Sequence, residues 1–186
     1  MAHHICPVWV GYLLANPLRK LAQNPNRILS SYVKPGMRVM DFGSAMGFFT
    51  MPMLKMVQPG GEVWALDIQM KMLDRLERKA RRAGHGQSIF LHKCNENSLE
   101  LGKMYGSFDF ILAFAVMHEV PDCASIMNEF FIALKPGGTV LVSEPAGHVT
   151  EAEFNITIEY GRRAGFNISE APLISRGRSK MLNKPV

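Results

Sequence analysis

Cysteine is scarce in this sequence. Cys6, Cys94 and Cys123 are scattered over 186 residues with no CxxC spacing. That excludes a disulfide framework and a structural zinc site of the usual spacing, and it reads as a reduced, cytoplasmic setting. No apolar run approaches the ~18–20 residues of a membrane span, so an integral membrane protein is not expected. The stretch up to Leu14 has no basic region ahead of its apolar patch and no small-residue cleavage site, which argues against a secretory signal. Internal repeats and low-complexity tracts are absent too. What is present is the composition of a packed globule, 47% hydrophobic and 20% charged, at a length suited to one domain of ~100–200 residues.

The net charge is +5 and the pI about 9.2. A basic balance raises nucleic acid or an anionic surface as partners. Much of the excess is local, in Arg75, Arg78, Lys79, Arg81 and Arg82. No aromatics are interleaved there as RNA-binding surfaces require, so the stretch reads as the solvated face of a helix. Nucleic acid is not the favoured partner.

From Met37 onward short apolar runs alternate with helix-length segments. The runs are Met37–Phe42, Glu62–Asp67, Ser88–His92, Phe108–Phe114 and Gly138–Ser143. Each is short enough for a strand and apolar enough to be covered on both faces. Helices are expected over Phe48–Val57, Met70–Ala83, Asp122–Leu134 and Glu151–Ala164. The tail reads as two strands turning around Arg176-Gly177-Arg178. The expected fold is α/β: a Rossmann-like, doubly wound, seven-stranded sheet, mostly parallel, with an antiparallel C-terminal hairpin and helices on both faces. Residues 1–27 read as an N-terminal helical lid segment and 28–186 as the core domain.

The most informative segment is Val39-Met40-Asp41-Phe42-Gly43-Ser44-Ala45-Met46-Gly47. A buried strand ends in a glycine loop and runs into a helix, at the end of a strand where open α/β sheets bind ligands. A dinucleotide fingerprint would place glycine at 43, 45 and 48, and two of the three positions fail. A P-loop is excluded because no Gly-Lys-Ser/Thr follows. Asp41 stands two residues before the first glycine, where its charge would repel a phosphate and suit a cation or an amine. Asp67, at the end of the next strand, offers two acceptor oxygens on one group, as the paired hydroxyls of a ribose require. It could instead cap the helix that follows.

These segments resemble the class I S-adenosylmethionine-dependent methyltransferases, and in particular the ubiquinone/menaquinone-biosynthesis enzymes. The loop from Val39 to Gly47 is similar to their first motif and Leu66-Asp67 to their second. Phe108–Ala113 followed by Val116-Met117-His118-Glu119-Val120-Pro121-Asp122 is similar to their fourth strand and its turn. Leu134-Lys135-Pro136-Gly137-Gly138 is similar to the turn into their fifth. The resemblance covers about residues 28–186. It implies S-adenosylmethionine as methyl donor, S-adenosylhomocysteine as product and a small-molecule acceptor. It also implies that Gly43, Ser44, Ala45 and Gly47 line the methionine part, with Asp41 behind them. Asp67 and Ile68 would hold ribose and adenine, Asn95 the adenine amine, and the Ala113 carbonyl the amino group. Ala45 stands where the family usually has glycine, and Lys93-Cys94-Asn95-Glu96 departs from the usual third motif.

Methyl transfer from a sulfonium needs alignment above all, and a general base where the acceptor is protonated. His118 after the fourth strand and Glu144 after the fifth are the candidate catalytic residues. No metal spacing is evident. Trp9 and Tyr12, three apart on one helical face, are candidates to cover the acceptor. The pocket is expected to be roofed by this segment, by a second subunit in a homodimer, or by the partner itself. Two other readings stand beside the leading one: an RNA or protein methyltransferase, and a non-catalytic nucleoside- or partner-binding module on a methyltransferase-like fold.

Overall fold

The structure is a computed structural model that describes residues 23–186. The proposed cover formed by Trp9 and Tyr12, and most of the lid segment, lie outside the described residues. The elements in chain order are α1 (Pro25–Leu29), β1 (Arg38–Phe42), α2 (Thr50–Met56), β2 (Glu62–Asp67), α3 (Met70–Arg82), β3 (Ile89–Lys93), β4 (Phe108–Phe114), a 3-10 turn (Met117–Glu119), α4 (Cys123–Ala133), β5 (Leu134–Pro145), α5 (Glu151–Arg163), β6 (Asn167–Glu170) and β7 (Gly177–Asn183). The strands form a seven-stranded sheet in the order β3-β2-β1-β4-β5-β7-β6. This is the expected mixed sheet: β1–β2, β2–β3 and β4–β5 pair in parallel, and β7 runs against β5 and β6.

The chain divides into two compact units, with the break after Cys94. In the first, β1 and β3 flank β2 in parallel. Consecutive residues Val39 and Met40 of β1, and Ala65 and Leu66 of β2, are fully buried. Strands covered on both faces have no solvent side to alternate with, which is why they read as unbroken apolar runs. The helix α3 buries a single stripe, Met72, Leu73, Leu76 and Ala80, at the spacing of one helical face.

In the second unit β4 pairs with β5, and β7 lies between β5 and β6. Two elements differ from expectation. β5 begins at Leu134, directly after α4, because Leu134 already pairs with Phe108. The register then slips before Phe110 meets Thr139. The stretch Lys135–Gly138 is the material of that slip, held by an ion pair of 2.6 Å between Lys135 and Asp109. The C-terminal hairpin is antiparallel as expected, but Gly177 and Arg178 belong to β7 rather than to the turn. The connection is residues 171–176. It closes with Gly177 donating to the Ile174 carbonyl, and β7 can then pair along its length with β5.

Candidate active site

The glycine loop of the first unit is built from the ends of β1 and β2. As the chain leaves β1, the amides of Gly43 and Ser44 both donate to the Leu66 carbonyl at 2.9 Å. Gly43 and Gly47 take left-handed φ of 73° and 79°, and Ala45 takes 45°. Gly47 also allows a close approach, since a Cβ there would lie 2.3 Å from Leu76 Cδ1. Its role in packing the loop onto α3 thus comes in addition to any contact with a ligand.

Asp41 is buried in β1, and the Thr50 hydroxyl at the start of α2 donates to its Oδ2 at 2.5 Å. This carboxylate ties the two ends of the loop together. Asp67 closes the loop from the other side. Its Oδ2 accepts the Ala45 amide at 2.9 Å and its Oδ1 the Gln69 amide at 2.8 Å. Asp67 is therefore not the N-cap of α3. That position is Gln69, which makes no side-chain cap bond. Burial pushes the Asp67 carboxyl above its ordinary value, against the backbone amides of Gln69, Ala45 and Ile68 that pull it down. Ile68 is half-buried beside it.

Ser44 completes this part of the site. It is 5% exposed, and its hydroxyl has no hydrogen-bond partner among the described residues. A buried polar atom left without a partner is rare and costs about 1–3 kcal/mol. Its place is in a loop whose backbone is already fixed by neighbours. Outside the loop, Lys79 donates to the Met46 carbonyl at 3.4 Å and Arg75 approaches Met46 Sδ at 3.9 Å. Arg81 pairs with Glu77 at 2.8 Å. Part of the basic face of α3 thus braces the loop.

The second unit brings together the two residues expected to be catalytic. After β4 the chain turns through Ala115, whose amide donates to the Ser143 carbonyl at 2.7 Å, and enters the 3-10 turn. The Glu144 side chain, 1% exposed, reaches across from the end of β5. Its Oε1 accepts the amides of Val116 at 3.2 Å and Met117 at 2.7 Å. Its Oε2 lies 2.6 Å from His118 Nδ1. The hydrogen bond to Glu144 raises the His118 pKa above its ordinary 6.5; burial opposes the shift, and the charges of Glu144 and Glu119 add to it. The Cys123 thiol donates to the carbonyls of Met117 and Val120, and burial pushes its pKa up to about 11. It is a neutral packing group at ordinary pH.

Ala113 is fully buried in β4, opposite Val142. Asn95 is exposed in the loop after β3. Its Oδ1 accepts the Asn97 amide at 2.9 Å and its amide nitrogen donates to Glu100 at 2.7 Å. The side chain that was to meet an adenine is thus engaged in its own turn. Sequence reasoning missed Thr50 and the Val116 and Met117 amides. Nothing in the linear pattern marks a partner that only strand pairing supplies.

A family profile described as a methyltransferase domain matches residues 33–171. The chain belongs to this methyltransferase family. A demethylmenaquinone methyltransferase of Lactobacillus johnsonii is 27% identical over 158 residues, which cover 81% of this chain and 64% of that protein. The Bacillus subtilis protein of the same name is 30% identical over 112 residues, covering 60% of this chain and 47% of its own length. The chain spans about half to two thirds of the length of these curated relatives. Among solved structures, a SAM dependent methyltransferase from Aquifex aeolicus superposes with a TM-score of 0.82 at 21% identity, covering 96% of this chain and 98% of the other. That likeness establishes the fold. No helix among the described residues is long and apolar enough to cross a membrane.

Proposed function

We propose that this chain is an S-adenosylmethionine-dependent methyltransferase acting on a small-molecule acceptor in the cytoplasm, with S-adenosylhomocysteine as product. The observation that carries the reading is the buried Ser44 hydroxyl without a partner, set in a left-handed loop that Asp67 holds shut. The donor set fits the nucleoside. Asp67 accepts the Ala45 amide at Oδ2 and the Gln69 amide at Oδ1, and a carboxylate is an acceptor-only group with two oxygens, suited to the paired hydroxyls of a ribose. Asp41 sets a negative charge behind Gly43, suited to the cationic end of the methionine part. Gly43, Ser44, Ala45 and Gly47 line that part, and Ile68 flanks the adenine. Asn95 would reach the adenine only by giving up its bond to Glu100.

When bound, S-adenosylmethionine supplies a methyl group activated on a sulfonium. The chain's own contribution is to hold and orient, and orientation accounts for up to about 7–11 kcal/mol of such a barrier. The relatives' names favour a quinone-type acceptor over RNA or protein. The bracing role of Lys79 and Arg75 takes part of the basic face away from a phosphate-binding role.

Calorimetric titration tests the site. Both S-adenosylmethionine and S-adenosylhomocysteine are expected to bind. Asp67→Asn removes the charge and one acceptor oxygen at nearly constant shape. A hydrogen bond to a charged group contributes about 1.5–3 kcal/mol, so affinity should fall roughly 10- to 150-fold. A melting curve on the same sample reports the cost of the backbone amide left without its acceptor. If the wild-type protein binds neither ligand at millimolar concentration, the reading fails.

A further inference from the structure

Glu144 is a buried carboxylate with more partners than its turn requires. The turn after β4 is already fixed by backbone bonds from Ala115 to Ser143, Glu119 to Val116 and Val120 to Met117. Glu144 Oε1 adds two more through the Val116 and Met117 amides. Its second oxygen is directed at His118 Nδ1 at 2.6 Å, at the short end for a charge-assisted bond. Taking a carboxylate to 1% exposure is unfavourable unless its partners compensate it. The structural need is met at Oε1, and Oε2 is left to act on the histidine.

The consequence is a defined tautomer. An ionised carboxylate only accepts, so Nδ1 carries the proton and the neutral ring presents a lone pair at Nε2. The His118 side chain is 32% exposed, and Glu119 Oε1 is 3.9 Å from Nε2, beyond hydrogen-bond range.

We propose that His118 is the general base of methyl transfer, taking the acceptor's proton at Nε2, and that Glu144 is a positioning residue that fixes its tautomer. The proposal rests on the methyltransferase reading above and deepens it. It assigns the acceptor to a chemical class, a nucleophile that still carries its proton, as a hydroxyl or an acidified carbon does and a thioether or tertiary amine does not. In the step, the acceptor atom bonds to the methyl carbon while the carbon–sulfur electron pair stays on sulfur, leaving a neutral thioether. The acceptor's proton passes to His118, the imidazolium is balanced by Glu144, and the proton then leaves to water from the exposed edge of the ring.

Among the described residues, Glu119 shares the turn and its charge acts on His118, and the neutral Cys123 at the start of α4 feels the charges of Glu144 and Asp122. On β7, Arg178 is in register opposite Glu144, with its guanidinium donating to the Val149 carbonyl. None of them replaces Oε2 at Nδ1.

Glu144→Gln separates positioning from simple support. The glutamine carbonyl still accepts the Val116 and Met117 amides, but its NH2 now donates to Nδ1, which moves the ring proton to Nε2. Nitrogen-correlated NMR of the ligand-free protein should show wild-type His118 protonated at Nδ1 when neutral and the variant protonated at Nε2, with a lower pKa. With naphthoquinol as acceptor, kcat should fall about 10²–10⁴-fold. The rise of the wild-type rate with pH through the His118 pKa should disappear, while S-adenosylmethionine affinity is unchanged. His118→Gln, at an exposed position, should show the same loss if Glu144→Gln does not fold. The proposal is overturned by an unchanged tautomer in Glu144→Gln, by a wild-type-like pH profile in His118→Gln, or by a wild-type enzyme that methylates only a thioether. Failure of the wild-type protein to bind S-adenosylmethionine would sink the methyltransferase reading instead, and the calorimetry separates the two.

Discussion

Gly47 and Ala45 lie two residues apart in left-handed backbone, and for different reasons. A side chain at 47 would meet Leu76, which is fully buried and cannot turn away into solvent. Ala45 has room for its methyl, and its amide is held by Asp67. The alanine that replaces the family's usual glycine therefore carries strain of about 1–2 kcal/mol, which the Asp67 bond helps to offset. Gly47→Ala would add similar strain plus overpacking of about 1–3 kcal/mol, together about 2–5 kcal/mol. The denaturant midpoint should fall accordingly, with the slope unchanged. An unaltered midpoint would show that the loop is not packed on α3 as described.

At the scale of elements, α5 has a reciprocal cap at its start. The Thr150 hydroxyl accepts the Glu153 amide at 3.3 Å, and the Glu153 carboxylate accepts the Thr150 amide at 2.8 Å. Thr150→Ala removes one half of this box and should cost about 1 kcal/mol, less than Gly47→Ala, in the same denaturant titration. A cost well above that would mean Thr150 supports more than its helix. Elements set by local pattern were legible in the sequence. β2 and β4 occupy the expected residues, since an unbroken apolar run between breakers has few other solutions. The start of β5 and the hairpin turn were not legible, because Leu134 and Gly177 owe their strand character to Phe108 and Pro145, far away in the chain. The site divides in the same way. His118, Glu144 and Asp67 stood out as residue types after strands. Their partners did not, because Ala45 is 22 positions from Asp67 and His118 is 26 from Glu144.

For the molecule as a whole, these local bonds set how stability varies with pH. Glu62 is lowered by its hydrogen bond to Arg38, so its contribution is present above its ordinary 4.5 and lost as pH falls through its folded value. The pair is about a third exposed on both sides, and solvent screens it to a small effect. Asp67 is raised by burial. The folded state binds its proton more tightly, so its contribution is present below 3.8 and lost as pH rises through its folded value. The two oppose each other on the acid side. Near neutrality, His118 is the described histidine with a raised pKa. Its contribution is complete below 6.5 and lost as pH rises through the folded value, because there the unfolded chain has already released the proton that the Glu144 pair still holds. The melting temperature should therefore decline across that window in the wild type. In His118→Gln the decline should flatten, with the two proteins converging on the alkaline side, where the wild-type imidazole is neutral. Scanning calorimetry in buffers of small ionisation enthalpy measures both curves. An equal slope in the two proteins would mean that Glu144 does not hold a proton on His118 in the folded state.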